Sequence, residues 1–249
     1  MAASPKPKKI CIIGLTGSGK SSLGNVLLGK DPNTHQGFKT SVDGKSCTDI
    51  TWRIRGSWLG NGDPIVVLDS PGHGDAEGND VRFRQKFVEY LRKEGSLDAF
   101  LWVKDAGNPR FTKMEAEHFE ILKKMFGKEI FDNLIIVLSK WAFDESAERR
   151  RQRQGISLDY AKRELRISLA SLMDDQRDLA MVAVDAYRDP ENREEANAYQ
   201  REIESLWKKI GSSTSLPVKS IHTTFSQTET GKPMHNSPAS SSPDKKGKV

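Results

Sequence analysis

The residues Gly14-Leu15-Thr16-Gly17-Ser18-Gly19-Lys20-Ser21 follow the spacing G-x-x-x-x-G-K-S, and residues of these types at this spacing can wrap a phosphate chain. Glycines let successive backbone N–H groups turn inward around an anion, and a helix that starts there adds the positive end of its dipole. The Lys20 ammonium then reaches the outer phosphates, and the Ser21 hydroxyl ligates Mg²⁺. Both flanks agree with this chemistry. Ile10 to Ile13 is a short apolar strand, and Ser22 to Gly29 reads as a helix closed by glycine, so Ser22 completes the expected phosphate-binding set.

A second chemical signal is Asp69-Ser70-Pro71-Gly72, a D-x-x-G step after the apolar run Pro64 to Leu68. An aspartate at the end of a core strand can hold Mg²⁺ through water, while the Gly72 N–H senses a γ-phosphate. By itself Asp-Ser-Pro-Gly is an ordinary turn; downstream of a phosphate loop and a strand it reads as the other half of a nucleotide site. A third signal follows the apolar run Leu134 to Leu138, where Ser139-Lys140-Trp141-Ala142-Phe143-Asp144 offers Lys140 to pack along a base and Trp141 to cover it. Guanine presents N–H donors that call for a carboxylate. Ala142 cannot accept them, which leaves Asp144 and Asp185 as candidates, with Asp144 preferred because it shares the Lys140 loop. Thr40, Ser41, Ser46 and Thr48 all stand as possible switch-loop ligands for the metal, with Ser41 carried in the binding set.

These groups need a scaffold, and hydrophobic periodicity supplies one. Strands are expected at Ile10 to Ile13, Cys47 to Arg55, Pro64 to Leu68, Ala99 to Val103, Leu134 to Leu138 and Ala180 to Val184. Helices are expected over Asp80 to Lys93, from a Thr112 cap with Glu115 completing a capping box, over residues 157–174, and over Arg193 to Ile210. On the capped helix Met114, His118, Ile121, Leu122 and Met125 form the expected core stripe, so His118 reads as a helix-face residue rather than a ligand. Glu145 to Gln154, with Arg149, Arg150, Arg151 and Arg153, reads as a solvated charged turn or helix end. The boundaries are a flexible leader at 1–7, one domain at 8–211 and a Ser/Thr/Pro/Lys tail at 212–249 whose composition cannot build a core.

The chain of 249 residues carries a net charge of +5, but the first nine residues and the last 38 each hold +3, leaving −1 for the domain between them. A nucleic-acid reader would carry its basic face on the domain, so no nucleic acid is expected. No apolar run is long enough to span a bilayer, and neither a signal peptide nor a lipidation signal is present, which predicts a soluble, cytoplasmic protein attached to membranes only indirectly. The two cysteines, Cys11 and Cys47, fit neither a disulfide framework nor a metal site.

Taken together these features predict an α/β fold: a doubly wound P-loop GTPase domain, with a six-stranded, mostly parallel sheet and helices on both faces. Gly14 to Gly29, Arg110-Phe111-Thr112 ahead of a helix, and Leu122 to Ile130 (LKKMFGKEI) are more particular, and in them the chain resembles the immunity-associated, AIG-type GTPases, kin to the chloroplast import GTPases. The resemblance implies GTP/GDP binding with Mg²⁺ and a homodimer or oligomer formed through the nucleotide face, with residues 31–46 and 72–80 in the interface. His73 follows Gly72 where many GTPases place the residue that orients the attacking water, and it is expected to act as the catalytic group in slow hydrolysis only once a partner subunit orders the loop. The alternatives are a P-loop kinase acting on a small molecule, for which residues 145–154 are the only lid candidate, and a nucleotide-binding scaffold that does not hydrolyse.

Overall fold

Alternation along the first strand decides the layering. The computed structural model describes residues 5–31, 37–39, 52–70, 80–108, 111–173, 177–189 and 191–218. In chain order the elements are β1 (Lys8–Gly14), α1 (Lys20–Leu27), β2 (Trp52–Ser57), β3 (Pro64–Asp69), α2 (Asp80–Glu94), β4 (Ser96–Leu97), β5 (Ala99–Asp105), α3 (Lys113–Phe126), β6 (Leu134–Ser139), α4 (Glu145–Arg153), α5 (Leu158–Met173), β7 (Ala180–Val184), α6 (Arg193–Ser212) and β8 (Leu216–Pro217). Cys11 and Ile13 of β1 join one buried cluster with α2, α3 and α5, while Ile10 and Ile12 join a second with α1 and α6. A strand that buries both faces is apolar through its middle, as Ile10 to Ile13, Ala99 to Val103 and Leu134 to Leu138 are.

The main sheet has six strands in the order β2-β3-β1-β5-β6-β7, with β2 antiparallel to β3 and the remaining pairs parallel. After β1 the chain builds outward on one side to β3; it then crosses to β5, β6 and β7 on the other. The crevice between β1 and β5, at the carboxyl ends of the strands, is therefore the topological switch point where ligands bind in open α/β sheets. The phosphate loop leaves β1 at that crevice.

Several expectations change in detail. The expected strand over Cys47 to Arg55 is described from Trp52 onward, and residues 47–51 lie outside the described residues. On α3 the buried face is Glu115, His118, Phe119, Leu122, Met125 and Phe126, while Met114 and Ile121 are only half-buried. The rotation has a physical cause: Phe119 stacks on Trp102 at 4.1 Å, Phe126 meets Phe100 edge-on at 4.8 Å, and Lys104 draws Glu115 inward. Residues 145–153 form a full helix rather than a turn, because the Asp144 side chain caps it. The fold also continues beyond residue 211. Leu97 pairs with Leu216, the Val218 N–H donates to the Gly95 carbonyl at 3.0 Å, and Leu216 and Val218 pack on the first cluster as apolar residues in an otherwise polar run. Residues 219–249 lie outside the described residues. Among the described residues no helix is long and apolar enough to cross a membrane.

The Arg-Phe-Thr stretch acquires a structural role in its last two residues; Arg110 lies outside the described residues. Thr112 caps α3, and the Glu115 carboxylate accepts from the Thr112 N–H at 2.9 Å and from the Lys104 ammonium at 2.8 and 2.9 Å. Phe111 lies with its ring centroid 5.0 Å from the same ammonium. Lys104 and Glu115 are 3% and 0% exposed, so removing one partner strands the other charge in the interior. Lys104→Met should therefore cost about 3–5 kcal/mol of stability, read as a lower urea midpoint. The paired change Lys104→Met with Glu115→Gln should recover part of that loss.

Candidate nucleotide-binding site

The phosphate loop is held from three sides. Gly14 pairs with Val103 of β5, and a Cβ at Gly14 would sit 2.5 Å from the Val103 carbonyl oxygen, so any side chain there would push the loop off the sheet. Gly19 adopts a left-handed conformation (φ 88°) and makes α1 start without a side-chain cap. The N–H groups of the first turn have no intrahelical acceptor and are left for a ligand. From β6, Ser139 Oγ lies 2.6 Å from the Ser18 carbonyl and 3.2 Å from the Lys104 carbonyl, tying the strand end to the loop.

The charged groups are buried within this frame. Lys20 is 6% exposed, and its ammonium donates to the Leu15 carbonyl at 2.8 Å. Burial lowers its pKa to about 8, against the opposing pull of Asp69. Asp69 is fully buried at the end of β3 and accepts from Ser21 Oγ at 2.7 Å through Oδ2. Burial pushes its pKa up to about 6, resisted first by Lys20 and then by the Ser21 hydrogen bond. The second carboxylate oxygen, Oδ1, is buried with no hydrogen-bond partner, as are the Thr16 and Ser18 hydroxyls. An orphaned carboxylate oxygen beside a hydroxyl is a donor set that suits Mg²⁺, which takes one or two protein oxygens and completes its shell with water and phosphate. The residues present therefore fit the metal. A polar cavity of about 160 Å³ adjoins the loop, lined by Leu15, Thr16, Gly17, Ser18, Lys104 and Asp105 among others.

The other end of the site lies across β6 and β7. Lys140 takes a left-handed conformation (φ 57°), with its ammonium 2.6 Å from Asp105 Oδ2. Trp141 does not cover the site as expected: it is buried in the first core cluster, with the Arg151 guanidinium 4.3 Å from its ring centroid. Asp144 is the N-cap of α4, its Oδ1 accepting from the Ala147 N–H at 2.9 Å and the Ser146 hydroxyl at 2.5 Å. Those bonds, the hydroxyl first, hold its carboxyl below the ordinary value. Asp185 follows β7 and accepts the Tyr187 N–H through Oδ1 at 3.0 Å. Thus the structure brings Gly14 to Ser22 together with Asp69 at one end, and Lys140 and Asp185 at the strand ends on the other flank. Ser41, Gly72 and His73 lie outside the described residues.

Lys104, Asp105 and Tyr187 carry no motif in the sequence, and the stretch that Ser139 opens assigns Ser139 no role. Ser139 and Asp105 gain their roles from ending β6 and β5, which parallel pairing places side by side. Strand-end position next to β1 was the available signal. Lys104 reads as a polar break in an apolar strand, and Tyr187 as an exposed aromatic.

A phosphate loop, a buried strand-end aspartate and this strand order define a P-loop GTPase domain. Its solved relatives in fold include Arabidopsis thaliana Toc33 in complex with GDP and Mg²⁺, with a TM-score of 0.61 at 21% identity over 86% of this chain and 89% of that one. The bacterial dynamin GTPase LeoA from ETEC reaches 0.54 at 17% identity over 82% of this chain and 35% of that one. Within that class the chain belongs to the AIG1 family, whose model matches residues 8–209. Immune-associated nucleotide-binding protein 13 of Arabidopsis thaliana is 35% identical over 136 residues, and protein 3 is 32% identical over 133, covering 54% and 53% of this chain. This chain spans 38% of the length of each.

The cap on α4 separates two roles for Asp144. Asp144→Ala should lower stability by about 1 kcal/mol through loss of the cap, whereas Asp144→Asn, with an equally good capping oxygen, should stay close to wild type. Chemical denaturation of the two variants reads the difference.

Proposed function

We propose that this domain binds GDP and GTP with Mg²⁺, hydrolyses GTP slowly, and pairs with a second copy through its nucleotide face in a nucleotide-dependent way. The observation that carries the reading is buried Lys20 and Asp69 with half-buried Ser21 between them at the carboxyl end of β1 and β3, two desolvated charges and an orphaned carboxylate oxygen beside open helix N–H groups. A polyphosphate with a divalent cation is the ligand that neutralises both charges at once. Lys20 would bind the outer phosphates, Ser21 and Asp69 would hold the metal, and the metal would supply charge neutralisation on the phosphates. Gly14 to Ser22 would cradle the phosphate chain, with Ser41 and Gly72 contributing from the switch segments and His73 orienting the attacking water. The kinase alternative loses support, because in its lid candidate Arg149 pairs with Glu145 and Arg151 covers Trp141.

Base selection falls to the far flank. Asp144 accepts two hydrogen bonds as the cap of α4 and Asp185 one, from the Tyr187 N–H, so we assign the acceptor for the guanine donors to the less engaged Asp185, with Lys140 packed along the base. A site that hydrogen-bonds its base leaves groups unpaired when the wrong base enters, so it discriminates strongly. The family relationship supports the nucleotide reading, and Toc33 has been crystallised with Mg²⁺ and GMPPNP as well as with GDP. For Toc33 and Toc159, dimerization is described as important for GTPase activity; pairing of this chain is proposed on the same model. The buried, uncharged thiol of Cys11 suits a reducing cytoplasm. Residues 8–211 would act as the G domain together with residues 212–218, which pack on it.

Titration calorimetry tests the binding claim. Wild type should bind GDP and GTP, Lys20→Ala should bind neither, and Asp185→Ala should lose at least tenfold of the preference for GDP over ADP. Unchanged GDP affinity in Lys20→Ala would remove the phosphate-loop assignment. Sedimentation tests the pairing: a dimer is expected with a non-hydrolysable GTP analogue and a lighter species with GDP, whereas one mass in both states rejects a nucleotide-controlled switch.

A further inference from the structure

Tyr187 is one of the large side chains that the fold leaves in solvent, 57% exposed. A lone exposed aromatic ordinarily needs no explanation, but this one is held in place. Asp185 Oδ1 takes its N–H in a tight turn at 3.0 Å. Beside it the Arg188 guanidinium sits 4.2 Å from the Tyr199 ring centroid, fastening the loop to α6. The far end of the phenol then reaches back across the site, where its hydroxyl lies 3.3 Å from Ser22 Oγ, in the first turn of α1 and next to Ser21. The ring therefore bridges the loop after β7 and the N-terminus of the phosphate-binding helix.

Strand order says what lies along that bridge. Asp69 ends β3, on one side of β1; Lys140 and Asp185 follow β6 and β7, on the other. The metal end of a bound nucleotide is thereby fixed over β1 and β3, and its nucleoside must extend from the phosphate loop toward β6 and β7. The Tyr187 ring spans that path. Its contact with Ser22 is long and solvent-exposed, and an exposed side chain changes rotamer in picoseconds to nanoseconds, so the ring can leave Ser22 for a ligand without disturbing the core.

We propose that Tyr187 is the aromatic wall of the nucleoside pocket, its ring stacking on the purine and ribose end of a bound guanine nucleotide and resting against Ser22 when none is bound. This rests on the nucleotide-binding reading above and adds to it a residue outside the phosphate loop. The ring supplies the contact; the hydroxyl only parks it.

Calorimetry on the full chain with GDP and with inorganic pyrophosphate, both in Mg²⁺, separates the two claims. Tyr187→Ala should weaken GDP binding roughly tenfold, the scale of an aromatic stack on a base, and speed release of a ribose-labelled fluorescent GDP by a similar factor. Pyrophosphate, which has no nucleoside, should bind the variant and wild type equally, and Tyr187→Phe should stay within about threefold of wild type for every ligand. The inference is overturned if Tyr187→Ala binds GDP as wild type does, if it loses pyrophosphate as much as GDP, or if Tyr187→Phe falls as far as Tyr187→Ala. A wild type that binds pyrophosphate but not GDP would instead remove the guanine-nucleotide reading, and this inference with it. Because the side chain is exposed, both variants should melt with wild type.

Discussion

The burial of two opposite charges at the mouth of β1 is the constraint on which the rest of the site depends. An ion pair in good contact holds each partner in its charged form; here both groups move the other way, Lys20 down to about 8 and Asp69 up to about 6, because desolvation outweighs their mutual attraction. Among the described residues each has one satisfied contact, the Leu15 carbonyl for Lys20 and the Ser21 hydroxyl for Asp69. The signs follow from linkage. Asp69, raised, contributes stability that is present below its unfolded pKa and lost as pH rises through about 6; Lys20, depressed, contributes stability present only above its unfolded value and lost as pH falls through about 8. At neutral pH the empty site therefore carries both costs, and a ligand bringing phosphate oxygens and a divalent cation relieves them together.

One strand away lies an instructive contrast. Lys104 and Glu115 are as deeply buried, yet the carboxylate accepts from the ammonium with both oxygens and from the Thr112 N–H and hydroxyl as well. That pair is compensated from within the protein and serves to anchor α3 on β5. Among the described residues Lys20 and Asp69 lack such partners. The difference between a structural and a binding charge pair is thus visible in the hydrogen-bond count around each carboxylate: Glu115 has no orphaned oxygen, whereas Asp69 Oδ1 has no partner.

What the sequence made legible follows from which interactions are local. The phosphate loop, the strand-end Asp69 and the Thr112 capping box are set by neighbours a few residues apart, and the structure places each on its expected element. The rotated face of α3 was not legible, because Glu115 is drawn inward by an ammonium on another element and Phe119 and Phe126 pack on rings of β5. Likewise Trp141 reads as a base cover from its position after Lys140, but its ring is drawn under α4 by Arg151 and the core. The strand Leu216–Pro217 escapes a compositional reading because two apolar residues suffice when an exposed edge, β4, is waiting for them.

The two ends of the site are built from different materials, and this divides their work. At the phosphate end Lys20, Asp69 and Ser18 are almost entirely buried, held by β1, β3 and β6. At the nucleoside end Lys140 has a side chain 53% exposed and Tyr187 is 57% exposed, each reaching the site from a loop. Charge interactions strengthen as water is excluded and fade where it is present. In the proposed nucleotide complex the phosphate end would therefore supply most of the attraction, and the looser end would add selectivity through shape, stacking and directional hydrogen bonds. With Ala142 in the Lys140 loop, the proposed selectivity would fall to the loop after β7, where Asp185 Oδ1 accepts the Tyr187 N–H and so fixes Tyr187. A carboxylate that shapes the loop and an aromatic carried by that loop are one unit, so the proposed base acceptor and the proposed stacking ring would be coupled through a single turn.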